Sequence, residues 1–169
     1  YGNGRIWAID GPSLALTGVV SRKIHGGAGE FPLTINYTQP ISGTITTEPR
    51  TLGAGHRITF SFNGPVNLVG GISCTDAVGT PVGLATYTIS GNQVDVTLTA
   101  MPDRRRARIT LQNINAIGLD VSASIAFLVG DINSSQTVTA SDLVAIKARN
   151  SLPVNGGNFL ADINLSGLI

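Results

Sequence analysis

The sequence predicts a mainly β fold, in which a two-layer β-sandwich is followed by a small tail with one helix. Two observations predict it. Hydrophobic residues make up 42% of the chain and charged residues 12%, a balance typical of a chain that folds around an apolar core. Short segments that alternate apolar and polar residues between glycine-rich turns fill residues 14–129, and a helical pattern follows them.

Five stretches show the two-residue period of half-buried strands. They are, in order, FPLTINY, RITFSF, TYTISGNQVDVTLT, ARITLQN and VSASIAFLV. The third predicts a hairpin around Gly91 and Asn92, because these residues separate two alternating runs. In RITFSF we expect Phe60 to point inward and Thr59 to point outward. About seven strands in roughly 115 residues fit an immunoglobulin-like sandwich best.

Three segments fall outside this regular pattern. Residues 1–13, which contain RIWAID, are interpreted as an N-terminal arm or linker: an edge strand, the end of a preceding domain, or an arm that pairs with another copy. The polar stretch 38–56 predicts a long loop or a bent edge strand, because it contains two prolines. The run DRRRAR, from Asp103 to Arg108, predicts a solvated hairpin end.

Charge and cysteine content exclude several classes of protein. The formal net charge is +1, so no overall field attracts nucleic acid or an acidic membrane surface. No segment is long and apolar enough to span a bilayer. Cys74 is the single cysteine, which rules out an internal disulfide and a thiolate zinc site, and we expect it to be a small buried residue.

The sequence does not predict an enzyme. Its two histidines, His25 and His56, stand in glycine-rich turns, where a structural or solvated role is the usual one. The His-Gly-Gly sequence at residues 25–27 can belong to an oxyanion loop, but no Gly-x-Ser-x-Gly nucleophile turn accompanies it. The spacings of a phosphate loop and of zinc ligands are also missing from the sequence.

The tail begins with a candidate metal site, the segment GDINSSQTVTASD at residues 130–142. Counted from Asp131 as position one, side chains with oxygen atoms stand at positions one, three, five, nine and twelve, the spacing with which a twelve-residue loop surrounds calcium. These side chains are Asp131, Asn133, Ser135, Thr139 and Asp142, and Thr137 at position seven offers its carbonyl. A capping box before the helical stretch SDLVAIKARN explains Thr139 and Asp142 by itself, but it does not explain the earlier positions.

The motif occurs twice. LVGDINSSQTV and FLADINLSGLI share apolar residues, a small residue, Asp-Ile-Asn and a serine two places later, so Asp162 is equivalent to Asp131. This doubled motif, at residues 130–169, resembles the dockerin type I module, which has two EF-hand-like calcium loops, each followed by a helix. The resemblance implies Ca²⁺ binding and docking onto a cohesin module in an extracellular assembly, as in large bacterial surface and secreted proteins.

The same resemblance implies roles for individual residues. In the first loop it implies calcium ligands at Asp131, Asn133, Ser135, Thr137, Thr139 and Asp142. In the second loop, of which the sequence holds positions one to eight, it implies ligands at Asp162, Asn164, Ser166 and the Leu168 carbonyl. It places partner recognition at Ala140, Ser141 and Lys147.

Two departures from the dockerin pattern weaken the expected calcium affinity. Gln136 stands at position six, where glycine permits the sharp turn, so we expect strain or an altered loop. Ser135 stands at position five in place of an acid, so the loop carries two formal charges. Both changes move the expected dissociation constant toward the extracellular range of roughly 10⁻⁴–10⁻³ M.

The function that we expect is a non-catalytic, calcium-stabilised extracellular module that mediates protein assembly. Its partner would be copies of itself, in a surface filament or array, or a cohesin-like module. The alternative is a carbohydrate-binding accessory module of a secreted multidomain enzyme. An aromatic content of 5% disfavours that alternative, although Trp7 and Tyr37 would support it if they were coplanar and exposed.

Overall fold

The computed structural model describes residues 13–169, so the arm predicted at residues 1–13 lies outside the described part except for its last residue. Within that part, the strands are β1 (Leu16–Ile24), β2 (Glu30–Thr34), β3 (Thr47–Glu48), β4 (His56–Phe62), β5 (Gly71–Thr75), β6 (Leu84–Ser90), β7 (Gln93–Thr99), β8 (Arg105–Ile114) and β9 (Leu119–Phe127). One α-helix, α1 (Ala140–Lys147), and two 3₁₀ turns, Gly26–Ala28 and Phe159–Ala161, complete the regular structure of residues 13–169.

The strands form two sheets, which confirms the prediction of a mainly β chain. One sheet has the order β2-β1-β4-β7-β6, and all of its neighbours are antiparallel. The other has the order β3-β9-β8-β5, in which β3 is parallel to β9 and the remaining pairs are antiparallel. The predicted hairpin is β6 and β7, which are joined by Gly91 and Asn92.

A single apolar core lies between the two sheets, because alternate residues of both sheets point toward it. The first sheet contributes side chains such as Phe60 and Val96, and the second contributes Ile109 and Ile125, all fully buried. Burying one such side chain stabilises the fold by about 1.5–3 kcal/mol relative to leaving it in water. Cys74 is part of this core, as predicted, and burial raises the pKa of its thiol to about 11.

The outer face of β4 differs from the prediction. Thr59 was expected to point outward, and on that outer face it is nevertheless fully buried. The side chain of Arg22 donates to its hydroxyl at 3.1 Å, and that hydroxyl donates to Asp95 at 2.5 Å. Long polar side chains of neighbouring strands therefore cover Thr59, an effect that residue alternation along one strand cannot reveal.

The polar stretch 38–56 proves to be a long loop that contains a short edge strand, so both predicted features occur. Its strand, β3, closes one edge of the second sheet. The stretch also brings Glu48 and Arg50 into the interior, where both side chains are fully buried. A polar segment thus supplies a buried ion pair at the end of the sandwich, next to the tail.

The arginine run 103–108 is only partly the solvated hairpin end that the sequence predicted. Arg106, within β8, is half-buried and donates to the carbonyl oxygens of Ile41 at 2.9 Å and Gly43 at 2.8 Å. The same guanidinium also donates to the side chain of Gln136 in the tail. Arg106 therefore connects the sandwich to the tail.

The tail follows β9 directly and packs on one end of the sandwich. Backbone hydrogen bonds join the two parts: Leu128 and Gly130 donate to the carbonyls of Glu48 and Pro49, and Thr51 donates to the carbonyl of Ile163. In the described residues, no helix has the length and apolarity needed to cross a membrane.

Candidate metal site

The first predicted loop is organised around the carboxylate of Asp131, which is fully buried. Its Oδ1 accepts the N–H of Ser135 at 2.9 Å, and its Oδ2 accepts the N–H of Gln136 at 2.8 Å. The side-chain oxygen of Asn133 accepts the same Ser135 N–H at 2.9 Å. Loop positions one and three therefore present oxygens to one small region.

Ser135 and Thr137 add further oxygen atoms to that region. The Ser135 hydroxyl lies 3.4 Å from Asp131 Oδ1 and donates to the carbonyl of Thr137 at 2.8 Å. The hydroxyl at position five and the carbonyl at position seven thus join the carboxylate at position one. The structure brings together the first four of the six predicted ligands.

The tight curve of this loop requires left-handed backbone at two positions. Ser134 has φ 57° and Gln136 has φ 67°, a region that costs a non-glycine residue roughly 1–2 kcal/mol. The strain expected at Gln136 is therefore present. The Gln136 side chain, however, is held by Arg106 of the sandwich and approaches the carbonyl of Ile45 at 3.5 Å, contacts that glycine could not make.

The last two predicted ligands stand at the start of α1. Thr139 is the N-cap residue, and with Asp142 it forms the predicted capping box, in which the Thr139 N–H donates to Asp142 Oδ2 at 3.0 Å. The Thr139 hydroxyl donates to the same oxygen at 3.1 Å. The other oxygen of this buried carboxylate, Oδ1, has no hydrogen-bond partner among the described residues.

Asp142 remains a carboxylate in spite of its burial. Burial raises its pKa, but the N–H and hydroxyl of Thr139 and, with a weaker effect, the N–H groups of Asn133 and Ile132 together outweigh it. The pKa of Asp142 is therefore below its usual range. Neither the Asn133 N–H nor the Ile132 N–H forms a hydrogen bond with Oδ1. Because Asn133 and Ile132 belong to the start of the loop, the closing acid at position twelve faces the first positions.

The second loop repeats the hydrogen bonds that organise the first around its aspartate. Asp162 Oδ1 accepts the N–H of Ser166 at 3.0 Å, and its Oδ2 accepts the N–H of Gly167 at 2.9 Å. Asn164 accepts the Ser166 N–H at 3.1 Å, and the Ser166 hydroxyl donates to the Leu168 carbonyl at 2.8 Å. The internal repeat seen in the sequence is thus a repeat of local structure, and it brings together all four ligands predicted there.

The left-handed residues also correspond in the two loops. Leu165 has φ 64° and Gly167 has φ 88°, at the places taken by Ser134 and Gln136 in the first loop. Gln136 thus adopts the conformation that the second loop assigns to glycine.

His25 is a site residue that sequence reasoning missed. Its side chain is fully buried, and its Nδ1 lies 2.8 Å from Asp162 Oδ2. Burial raises the pKa of Asp162, but the Gly167 N–H and the His25 ring, with a further contribution from the Ser166 N–H, hold it below its usual range. The partners are 137 positions apart in sequence, so no local motif could have revealed the contact.

Arg50, which contacts His25, belongs to a cluster of buried titratable side chains that also includes Lys23, Glu48 and His56. Arg50 grips Glu48 through two bonds, Nε to Oε1 at 2.6 Å and Nη2 to Oε2 at 2.8 Å. Lys23 donates to three carbonyl oxygens at 2.6–2.8 Å, and burial lowers its pKa to about 8. Each long charged side chain therefore has fixed partners, as buried charges require.

The three residues predicted for partner recognition are exposed at α1. These are Ala140, Ser141 and Lys147. Ser141 also belongs to the first loop, because its hydroxyl lies 2.7 Å from that of Thr139 and accepts from the Asn133 amide at 3.2 Å. Leu143 and Val144 lie on the same helix with 51% and 65% of their surface exposed.

The chemistry available at the loops is that of oxygen donors. Two carboxylates, an amide, hydroxyls and a carbonyl suit a hard cation, and variable oxygen geometry favours Ca²⁺ over the octahedral Mg²⁺. In residues 13–169, no three His, Cys, Asp or Glu side chains form a group that could hold a metal ion by themselves. A cation here would depend on the neutral oxygens as well.

No protein-family model matches the chain, and no curated protein is similar enough to match it.

Proposed function

We propose that this chain is a calcium-stabilised, non-catalytic extracellular module for protein assembly. In this proposal the two sheets are an immunoglobulin-like sandwich, and the tail is a dockerin-like pair of EF-hand-like loops. The partner is a cohesin-like module or another copy of the chain. The observation that carries the proposal is the buried Oδ1 of Asp142 at the closing position of the first loop, which has no hydrogen-bond partner in the part of the chain that the structure describes.

A buried carboxylate oxygen of this kind is a candidate metal ligand. A buried carboxylate oxygen without a partner costs roughly 1–3 kcal/mol or more, and native proteins usually satisfy such groups. A cation between Asp131 and Asp142 would satisfy it and would also neutralise the two charges. The Asn133, Ser135 and Thr137 oxygens that already converge beside Asp131 would complete the coordination.

Calcium binding of this kind acts as a stabiliser. A ligand that binds the folded state alone adds RT ln(1 + [L]/Kd), about 1.4 kcal/mol at ten times the dissociation constant. With the weak affinity expected for this loop, millimolar extracellular calcium would fill the site and lower concentrations would leave it largely empty. The folded module would therefore be more stable outside a cell than where calcium is scarce.

The proposed docking surface is α1. Ala140, Ser141 and Lys147 are exposed there, and so are the neighbouring apolar side chains of Leu143 and Val144. Because Ser141 contacts both Asn133 and Thr139, filling the loop would also order the docking face. Calcium would in this way control assembly.

Calorimetric titration of the intact protein with calcium tests the metal site. We expect one binding event in the first loop, which Asp131→Ala abolishes. Asp76→Ala is the matched control, since Asp76 also accepts two backbone N–H bonds in a turn, but in the sandwich. We expect this control to retain the calcium affinity of the parent.

Two results would contradict the proposal: no heat of binding at millimolar calcium, or unchanged binding in Asp131→Ala. The carbohydrate alternative gains no support from Tyr37, which is partly buried against the core. Trp7, the other aromatic residue named for it, lies outside the described residues.

A further inference from the structure

The two loops share the hydrogen bonds of their first aspartate but differ in what the sandwich adds to that aspartate. In both, Oδ1 of the first aspartate faces the serine hydroxyl, at 3.4 Å, and Oδ2 accepts the backbone N–H of position six. Only in the second loop of the described structure does a side chain of the sandwich reach Oδ2, which is His25 at 2.8 Å from Asp162. The contact lies on the oxygen turned away from the other ligands.

The neighbours of His25 determine which nitrogen carries its proton. Nη1 of Arg50 lies 3.3 Å from Nε2 of His25, and a guanidinium has only donors, so Nε2 accepts. Nδ1 is then the protonated nitrogen and donates to Asp162. Arg50 is fixed in turn by its paired bonds to Glu48, and the Ser21 hydroxyl donates to Glu48.

We infer that the sandwich positions Asp162 through the relay Glu48–Arg50–His25, so that the second loop keeps its ligand-binding conformation without a cation. In the described residues, the first loop has no such partner at Oδ2 of Asp131, although Arg106 holds its Gln136 side chain, and it depends on the cation to close around Asp142. The inference rests on the proposed function, because it assigns the sandwich the task of preorganising one of the two proposed calcium loops.

The physics is that of outer-shell support. A carboxylate that is already hydrogen-bonded in its binding orientation loses little freedom when a cation arrives, and removal of such outer-shell partners typically costs 10–100-fold in metal affinity. His25 supplies this support without competing for the cation, because it holds Oδ2 and leaves the Oδ1 side to the loop. In the absence of metal, Oδ2 of Asp162 still accepts hydrogen bonds from His25 and from the Gly167 N–H.

Other contacts seat the same loop on the same end of the sandwich. The rings of Phe31 and Phe159 stack with their centroids 5.7 Å apart, and the guanidinium of Arg50 lies 5.2 Å above the Phe159 ring. Thr51 donates to the carbonyl of Ile163 at 2.8 Å. These contacts hold residues before and after Asp162 in the sequence. The relay therefore acts on a segment that the sandwich already holds in place.

Amide hydrogen exchange of the full chain in chelator, followed residue by residue, tests the inference. In the parent protein we expect the Ser166 and Gly167 amides to exchange at least tenfold more slowly than their equivalents, Ser135 and Gln136. His25→Leu should raise the Ser166 and Gly167 rates at least tenfold and leave the sandwich amides unchanged. His25→Asn, whose side-chain N–H can replace Nδ1, should restore most of the protection.

Equal exchange of the two loops in the parent protein would overturn the inference, and so would slow exchange of Ser166 and Gly167 in His25→Leu. The parent comparison needs no variant, so it decides the matter even if His25→Leu does not fold. A general increase in exchange that His25→Asn does not rescue would assign His25 a merely structural role. If calorimetry finds no calcium binding, the proposed function fails, whereas the exchange comparison still reports on the positioning.

Discussion

At the scale of single residues, the junction between sandwich and tail depends on two glycines that face each other. Gly26 has φ 48°, and a Cβ built on it would collide with the carbonyl of Ser166. Gly167 has φ 88°, and its Cβ would lie 3.0 Å from the carbonyl of His25. Two backbones therefore approach each other at a distance that only glycine permits.

Gly26→Ala should loosen this junction. Left-handed backbone costs alanine roughly 1–2 kcal/mol, and the collision with Ser166 adds to that cost, so we expect the free energy of unfolding to fall by about 2 kcal/mol. Gly27→Ala is the control, since its Cβ would meet nothing within 4 Å. Urea unfolding measures both, and equal effects of the two substitutions would show that the loop does not pack here.

His56 makes stability depend on pH. Burial and the charge of Lys23 lower its pKa to about 3, with a smaller effect of Arg50 and an opposing one of Glu48. The unfolded chain therefore binds more protons between pH 6.5 and 3. The contribution of His56 to the free energy of unfolding is complete above pH 6.5. It is lost on acidification, by up to about 1.4 kcal/mol per pH unit.

His56→Gln removes this titration and leaves the carboxylates in place. We expect its free energy of unfolding to fall less steeply than that of the parent between pH 6 and pH 4. Denaturant unfolding at a series of pH values gives both slopes. Parallel slopes would mean that His56 is protonated in the folded protein.

At the scale of secondary-structure elements, α1 is too short to be stable alone. It has eight residues, whereas isolated helices need about 12–15 residues to be even marginally stable in water. Its packing adds little, because Leu143 and Val144 are 51% and 65% exposed. The capping box and the buried Asp142 tie its first turn to the loop, so the loop sets the stability of the helix.

Removal of calcium should therefore melt α1 before the sandwich. With chelator, we expect faster amide exchange in residues 131–147 and unchanged exchange in β4, β7 and β8. The strands serve as the internal control in the same sample. Identical protection of α1 with and without calcium would show that another interaction holds the helix, and a uniform increase would show that tail and sandwich unfold together.

The fold could be predicted from the sequence wherever residue alternation decides it. The β6–β7 hairpin and the buried residues of β4 agree with the pattern, because one face of each strand packs on the core. The burial of Thr59 and Arg106 was not predicted, since it depends on side chains from other segments. The position of β3 beside β9 could not be read at all, because a two-residue strand has no periodicity.

For the candidate site, the sequence predicted the two repeated loops but missed the sandwich residues that support the second loop. The spacing from Asp131 to Asp142, and its copy at Asp162, follow from the chain itself. His25, Arg50 and Glu48 come from distant segments and share no motif, so only the folded structure brings them together. The predicted calcium ligation stays a prediction.

At the scale of the whole molecule, the proposed function predicts assembly of the chain with other copies or with a partner protein. Residues 1–12 lie outside the described part. As the predicted arm, they would add a strand to the edge of a neighbour's sheet. Such a head-to-tail contact propagates into a filament unless its rotation closes a ring. Two sheet edges, β2 and β6 in the first sheet, are available as acceptors in the described structure.

Deleting residues 1–12 tests the arm. If the arm joins copies, the full chain should form large particles in calcium, seen by light scattering and electron microscopy, and the shortened chain should not. Identical assemblies from both would make the arm a linker. Monomers from both would instead favour docking of another protein on α1, through the surface around Ser141 and Lys147.

The buried relay from Glu48 to Asp162 has a consequence for evolution. Each of its members is buried and has its neighbour in the relay as a partner, so the loss of one leaves a buried charge or a buried donor with a missing partner, which commonly costs 3–5 kcal/mol. Descendants of this chain should therefore exchange His25 and Asp162 together, or keep both. In an alignment of related sequences, correlated changes at His25, in the turn after β1, and at Asp162 would then identify the proteins that kept this junction.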